Sequence, residues 1–275
     1  MVESVRIALV QMQSFVGKTH ENLAKIKKHV QEAKKKGVQI ICFPELAAQG
    51  YTRKRAKELA EISTGYCGTY LSNLSKEYDI QIIAGLIEKS ENDKPYITQL
   101  IIDQGKINKY RKTHIGESEE LYFTPGNELP VFASTLATIG VQICFDCHFP
   151  EVSTVQAIKG AEIIFAPHAS PTMVKDRKEI WLKYLRARAY DNGVYVAACN
   201  LIGQNGDGSD FIGGTLVIDP KGNIIGEDFN GEEAMLIVDL PKEKINILRQ
   251  NERKTMRNSF YLKSRRPEIY KELTD

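Results

Sequence analysis

Short, nearly uninterrupted apolar runs recur along the chain, each separated from the next by a helix-like or turn-like stretch. VRIALV (5–10) is followed by a charged helical pattern from about Glu21 to Lys36 and then by VQIICF (38–43). Helical patterns around 53–62 and 67–78 precede IQIIAGL (80–86). Runs so evenly apolar fit strands buried on both faces, which calls for sheets with helices packed outside. ITQLIID (97–103) and KINKY (106–110), joined by Gln104-Gly105, form a predicted hairpin. A second round then repeats the plan. TIGVQICF (138–145) is a predicted strand, PEVSTVQAIKG (150–160) a helix and EIIFAP (162–167) a strand. KDRKEIWLKYLRARAYDN (175–192) is a predicted amphipathic helix, and VYVAACN (194–200) a strand. GTLVIDPKGNIIGE follows as a hairpin turning at Pro220-Lys221-Gly222-Asn223, and then EAMLIVDL (233–240). Two β-α-β-rich halves with no low-complexity linker predict an α/β fold of two mixed sheets, in one domain spanning residues 1–275.

The net charge of +2 offers nothing for electrostatic capture of nucleic acid. The basic runs KKH (27–29) and KKK (34–36) fall on a helix-like segment with interspersed glutamates and read as a solvated face. No stretch approaches the roughly 20 apolar residues needed to span a bilayer, and the opening MVESVRIALVQM lacks a signal-type apolar core. Five cysteines, at 42, 67, 144, 147 and 199, are an odd number without framework spacing. A reducing cytoplasm is the expected compartment.

Several of the apolar runs end abruptly on polar residues. VQIICF runs into Pro44-Glu45, GVQICF into Asp146, and EIIFAP into His168. In open α/β sheets ligands gather at strand C-termini, so these loops are expected to share a pocket. Cys144 closes one such strand shortly before Phe149-Pro150-Glu151, which reads as a helix start with proline in the first turn. A thiol near a helix N-terminus gains from backbone N–H groups that lower its pKa and that can also bind a developing oxyanion. A buried structural cysteine is the competing reading. Glu45, after its apolar strand, is a general base if burial raises its pKa, or otherwise a cap or surface acid. Lys112, in KYRKTHI, is a fixed cation or a solvated lysine. Thiol, base and cation together would perform acyl transfer through a covalent thioester.

Cys144 and Cys147 also form a C-x-x-C pair. Zinc would need a second ligand pair at similar spacing, and Cys42, Cys67 and Cys199 stand alone, while His148 and His168 show no paired spacing. A redox motif would begin a helix at once and keep acids away from the thiol, yet Phe145-Asp146 intervene.

Three segments resemble, in order, the motifs of the nitrilase superfamily of carbon–nitrogen hydrolases. FPEL (43–46), followed by Gly50-Tyr51, is similar to the glutamate motif. YRKTHI (110–115), followed by YFTPG (122–126), is similar to the lysine motif, and GVQICFDCHFPE (140–151) to the cysteine motif. LRARAYDNGVYVAACN (185–200), GGTLVIDPKGNII (213–225) and YLKSRRPEIY (261–270) resemble flanking segments, so the likeness runs through nearly the whole chain. It implies a four-layer α-β-β-α sandwich with Cys144 as nucleophile, Glu45 as general base and Lys112 as oxyanion stabiliser. Glu119, with Glu120 as its rival, matches a second family glutamate that positions the lysine and the substrate amine. The Phe145 backbone N–H would be a second oxyanion donor. Cys147 falls at a position that the family leaves variable.

The resemblance further implies that neither a metal nor an organic cofactor is needed. It marks Tyr51 and the loop His168-Ala169-Ser170 as substrate-shaping, although a structural role for His168 fits the sequence equally. Cys144-Phe145-Asp146 is more similar to the amidase and N-carbamoyl-hydrolase branches than to nitrile hydrolases. The expected reaction is therefore hydrolysis of a linear amide or an N-carbamoyl amine or amino acid. A nitrile hydrolase, an amide acyltransferase and a non-catalytic binding protein of the same fold are the alternatives. The expected partner is a small-molecule substrate, with no nucleic acid or membrane, in a homodimer or larger homo-oligomer with the tail from about residue 241 to 275 at the interface. The Gly- and Asp-rich GQNGDGSDFIGG (203–214) is expected to close over the site.

Overall fold

The computed structural model describes residues 1–91, 93–173, 176–250 and 260–273. Two six-stranded sheets form its centre. The first sheet contains β1 (Ser4–Gln11), β2 (Ile40–Cys42), β3 (Gln81–Glu88), β4 (Tyr96–Asp103) and β5 (Lys106–Arg111). The second contains β6 (Phe132–Ala133), β7 (Thr138–Val141), β8 (Ile163–His168) and β9 (Tyr195–Asn200). A small hairpin, β10 (Ile202–Gln204) with β11 (Asp210–Ile212), precedes β12 (Thr215–Ile218) and β13 (Ile224–Asp228), which complete the second sheet. The last strand, β14 (Ala234–Pro241), returns to the first sheet and lies antiparallel to β1, with Val5 opposite Leu240. Each sheet has a parallel centre, β1-β2-β3 and β7-β8-β9, flanked by antiparallel strands.

Period-two burial explains the layering. Along β1, Val5, Ile7 and Leu9 enter the core between the sheets, while Ala8 and Val10 face the helices α1 (Thr19–Lys35) and α3 (Tyr66–Tyr78). In the second sheet Ile163, Phe165, Tyr195 and Ala197 meet the same inter-sheet core from the other side. Their neighbours Ile164, Ala166, Val196 and Ala198 pack on Trp181, Leu185 and Ala189 of a helix over Arg177–Asn192. Strands buried on both faces have no polar face to show, which is why their sequences read as continuous apolar runs. The result is a four-layer α-β-β-α sandwich. No helix among the described residues is long and apolar enough to cross a membrane.

Two expectations are revised. The helical pattern at 53–62 shrinks to α2 (Ala56–Leu59), because the chain then turns extended at Ala60 and Glu61 bonds to Ile87 and Lys89 beside the end of β3. The strand expected over 138–145 stops at Val141, because Cys144 takes a left-handed conformation, φ 49°, that no strand accommodates. A 3-10 turn, Cys144–His148, fills the gap before α4 (Pro150–Ile158). The helix over Arg177–Asn192 is α5, and Lys175, in its expected first turn, lies outside the described residues. Of the tail from residue 241, α6 (Glu243–Arg249) buries Ile245 and Leu248, three 3-10 turns follow from Tyr261, and residues 251–259, 274 and 275 lie outside the described residues.

Candidate active site

The polar residues beyond the strand ends converge between the sheets. Glu45 follows β2 in a wholly buried turn, where the next residue, Leu46, is also left-handed (φ 53°). β3 passes close behind it at Gly85, where a Cβ would stand 2.3 Å from the Leu46 nitrogen and 3.1 Å from the Glu45 carbonyl carbon. Only glycine leaves room for that approach. Lys112 follows β5 directly, its N–H bonded to the Ile97 carbonyl and its own carbonyl to the Gly126 N–H.

Lys112 is 1 % exposed, and its ammonium lies between two carboxylates. Nζ donates to Glu45 Oε1 at 2.9 Å and to both oxygens of Glu119 at 3.0 and 2.8 Å. Glu119 is thus the acid that reaches the lysine, whereas Glu120 is exposed. Tyr51, expected to shape the substrate, spends its hydroxyl on Glu119 Oε1 at 2.7 Å, and the Gly116 N–H bonds Glu119 Oε2. Glu45 Oε2 is buried with no hydrogen-bond partner among the described residues.

Cys144 is partly exposed, and its Sγ lies 3.7 Å from Ser170 Oγ. Ser170 is held in turn by Asn200, which accepts its N–H at 2.7 Å and donates to its carbonyl at 3.1 Å. Asn200 was not singled out in the sequence, although an amide ending VYVAACN was the available signal. Ala169 packs with Tyr51, Leu201 and Phe211, which brings the β10-β11 hairpin against this side of the site. His168 is buried, its Nδ1–H donating to the Ala166 carbonyl at 2.8 Å.

Burial pushes the Glu45 carboxyl up to about 7, with Lys112 opposing and Glu119 and Asp146 adding to the rise. Burial alone would depress Lys112, but Glu45 and Glu119 outweigh it and hold the ammonium well above its ordinary pKa. The thiol runs against the expectation from its helix-end position. Burial, reinforced by the Glu45 carboxylate and opposed by Lys112, pushes Cys144 up to about 12. Near neutral pH the site therefore holds a neutral thiol beside a half-ionised acceptor and a permanent cation.

Asp146 fastens the two halves of this arrangement. Wholly buried, it accepts from the Ile143 N–H at 2.9 Å, the His114 N–H at 2.8 Å, Thr113 Oγ1 at 2.8 Å and Tyr110 Oη at 2.9 Å. It thereby ties the cysteine turn to the segment that carries Lys112. Cys147 faces away, in the core under α5 with its Sγ toward the Gln142 carbonyl, so the two sulfurs of the C-x-x-C belong to different layers. Asp146→Ala strands several buried donors at once and is expected to cost about 3 kcal/mol or more of stability. Denaturant unfolding measures this, and a loss under about 1 kcal/mol would contradict the clamp.

A cleft of about 650 Å³ borders the site at Phe145 and is lined further by Thr113, His114, Phe123 and Phe149, but Cys144 does not line it. The family model described as carbon-nitrogen hydrolase matches residues 6–250. The chain is 33% identical over 225 residues to a 2-oxoglutaramate amidase of Bacillus subtilis, covering 80% of this chain and 85% of that one. It is 30% identical over 300 residues to an N-carbamoylputrescine amidase of Solanum tuberosum, covering 99% and 97%. A mutant amidase from Nesterenkonia sp. AN1, with the acetamide moiety of fluoroacetamide added covalently at its active-site cysteine, superposes with a TM-score of 0.84. That structure is 26% identical, with 99% of this chain and 98% of that one covered.

Proposed function

Because the chain belongs to the carbon–nitrogen hydrolase family, we propose that it hydrolyses a linear amide or N-carbamoyl bond through a thioester on Cys144. The observation that carries this reading is the buried Glu45–Lys112–Glu119 cluster, whose one unpartnered carboxylate oxygen is the acceptor a neutral thiol requires.

As the sulfur attacks the carbonyl carbon, its proton passes to Glu45 and the S–C bond forms. The carbonyl oxygen gains the negative charge, which Lys112 and the Phe145 N–H stabilise. The Phe145 N–H lies in the first turn of the 3-10 segment, where donors lack partners within the turn. Glu45 then gives the proton to the departing nitrogen, the C–N bond breaks, and ammonia or an amine leaves. Water attacks the thioester carbon while Glu45 takes its proton, the S–C bond breaks, and the proton returns to sulfur. Glu119, held by Tyr51, fixes Lys112 throughout. The amidases among its relatives support an amide or carbamoyl bond, and a 31% identical relative named nitrilase, from Pyrococcus abyssi, makes the nitrile the alternative that the substrate panel must test.

Ammonia release from amides, N-carbamoyl compounds and nitriles, measured for wild type, Cys144→Ala and Cys147→Ala, tests this reading. Turnover of an amide or carbamoyl compound that requires Cys144 and survives loss of Cys147 is expected. Equal loss in both variants, or turnover of nitriles alone, would contradict it. A pH profile provides a second check. A base with its pKa raised to about 7 is protonated below that pH, so kcat/KM should fall on the acid side with a midpoint near 7. A midpoint near the ordinary carboxyl value, about 4.3, would exclude Glu45 in its buried state as the base.

A further inference from the structure

Parallel pairing sets three strand ends side by side. β8 lies between β7 and β9, with Val141 opposite Phe165 and His168 opposite Asn200. The residues at these ends therefore meet: the Cys144 turn beyond β7, Ser170 beyond β8, and Asn200 closing β9. Asn200 is wholly buried, and both polar atoms of its side chain are engaged. Its Oδ1 accepts the Ser170 N–H at 2.7 Å. Its Nδ2 donates to the Ser170 carbonyl at 3.1 Å and to the Gly213 carbonyl at 2.9 Å.

That clamp uses only the backbone of residue 170, so it makes no demand on the side chain. Alanine would satisfy it as well as serine does. The hydroxyl is therefore a surplus polar group at a position only 5 % exposed, where lack of a partner is costly. Among the described residues its one hydrogen-bond contact is Cys144 Sγ, 3.7 Å away, and the sulfur has no other.

In the proposed reaction Glu45 handles the proton, while Lys112 and the Phe145 N–H serve the carbonyl oxygen. The sulfur also carries charge, at two moments. The first is when its proton leaves and it attacks. The second is when the tetrahedral intermediate of thioester hydrolysis collapses and the S–C electron pair returns to sulfur. A thiol or thioester sulfur is a weak acceptor and a thiolate a strong one, so a hydroxyl fixed beside it bonds tightly at those moments alone. Such an interaction lowers the barrier without stabilising the ground state. Burial makes the charged sulfur costly, pushing the thiol up to about 12, and Lys112 and the Ser170 hydroxyl both oppose that rise.

We propose that Ser170 is a further catalytic residue, whose hydroxyl donates a hydrogen bond to the Cys144 sulfur whenever that sulfur is charged. The inference rests on the thioester reading and deepens it. It gives Ser170 to the nucleophile, where the sequence marked it as shaping the substrate.

The test is alkylation of Cys144 by iodoacetamide, which needs a charged sulfur but no hydrolysis. The S–C bond forms, iodide leaves with the electrons of the C–I bond, and the thiol proton passes to the buffer. Peptide mass follows the rate in wild type, Ser170→Ala and Ser170→Thr, beside kcat, KM and the thermal midpoint. Ser170→Ala is expected to alkylate about 10- to 100-fold more slowly, the scale of one hydrogen bond to a charged group. Its kcat should fall by a similar factor with KM nearly unchanged. Its midpoint should hold, since the Asn200 clamp remains. Threonine keeps the hydroxyl and should recover part of both losses. An unchanged alkylation rate in Ser170→Ala, a raised KM with kcat preserved, or losses that threonine does not recover would each overturn the proposal. So would a wild-type Cys144 that iodoacetamide fails to label. Turnover separates the two ideas. Amide hydrolysis that requires Cys144, with alkylation indifferent to Ser170, sinks this inference and leaves the hydrolase reading standing. Slowed alkylation in Ser170→Ala, recovered by threonine in a protein that turns over no amide or carbamoyl compound, does the reverse.

Discussion

Cys144→Ala is expected to fold normally and to lose at least about 10⁴-fold in kcat/KM, the scale seen when the nucleophile of a catalytic triad is removed. The fold should survive because the side chain is small and partly exposed, and among the described residues its one hydrogen-bond contact is the 3.7 Å approach to Ser170 Oγ. Alanine at φ 49° is no more strained than cysteine there, so the backbone gains no reason to rearrange. What disappears is the atom that forms the intermediate, and no neighbour replaces it. Among the described residues no base is hydrogen-bonded to the Ser170 hydroxyl, and Cys147 is buried on the far side of the sheet under α5. Initial rates of ammonia release over a substrate range extending well below KM check the loss. Residual activity within 100-fold of wild type would mean that another group attacks.

Lys112→Met is expected to damage both activity and stability. Activity should fall by about 10²- to 10³-fold or more, as when one preorganised oxyanion donor is removed. Stability should fall by about 3–5 kcal/mol, since Glu45 and Glu119 lose the cation that both hold in a site excluded from water. The loss should depend on pH with a definite sign. Glu45 is already raised to about 7 with Lys112 present, and without it the carboxyl is pushed higher. An acid whose folded pKa lies above its unfolded value favours the folded state least when ionised. The penalty should therefore be greatest above pH 7 and shrink as pH falls toward the unfolded carboxyl value, about 4.3. Urea unfolding at pH 5 and pH 8 measures this, and equal penalties at both would show that the buried carboxylates are not its source.

The sandwich was legible because its strands are buried on both sides. Ile7 to Val10 and Ile163 to Ala166 present apolar residues at every position, which only a sheet between two other layers requires. The return of β14 to β1 was not legible, since the pairing of Val5 with Leu240 leaves no local periodicity. The truncation of the strand before Cys144 was hidden for a similar reason, because a left-handed cysteine looks like any other cysteine in sequence.

At the site, the order of three motifs pointed to Glu45, Lys112 and Cys144, but which acid joins them depended on burial. Glu119 and Glu120 are adjacent and chemically alike, and only the turn from Gly116 to Glu119 turns one inward. The direction of the thiol's shift was misjudged because helix-end stabilisation is local, whereas desolvation depends on both sheets closing over the sulfur.

A thioester on Cys144 is what acid-quenched single-turnover reactions would trap. Wild-type protein is mixed with its best amide substrate, quenched in milliseconds to seconds and examined by intact mass and peptide mapping. The expected result is a mass gain equal to the acyl group, located on the peptide holding Cys144 and Cys147, that persists in Cys147→Ala and vanishes in Cys144→Ala. An acyl group carried by Cys147, or burst release of ammonia at full stoichiometry with no protein-bound acyl group at any time, would contradict it.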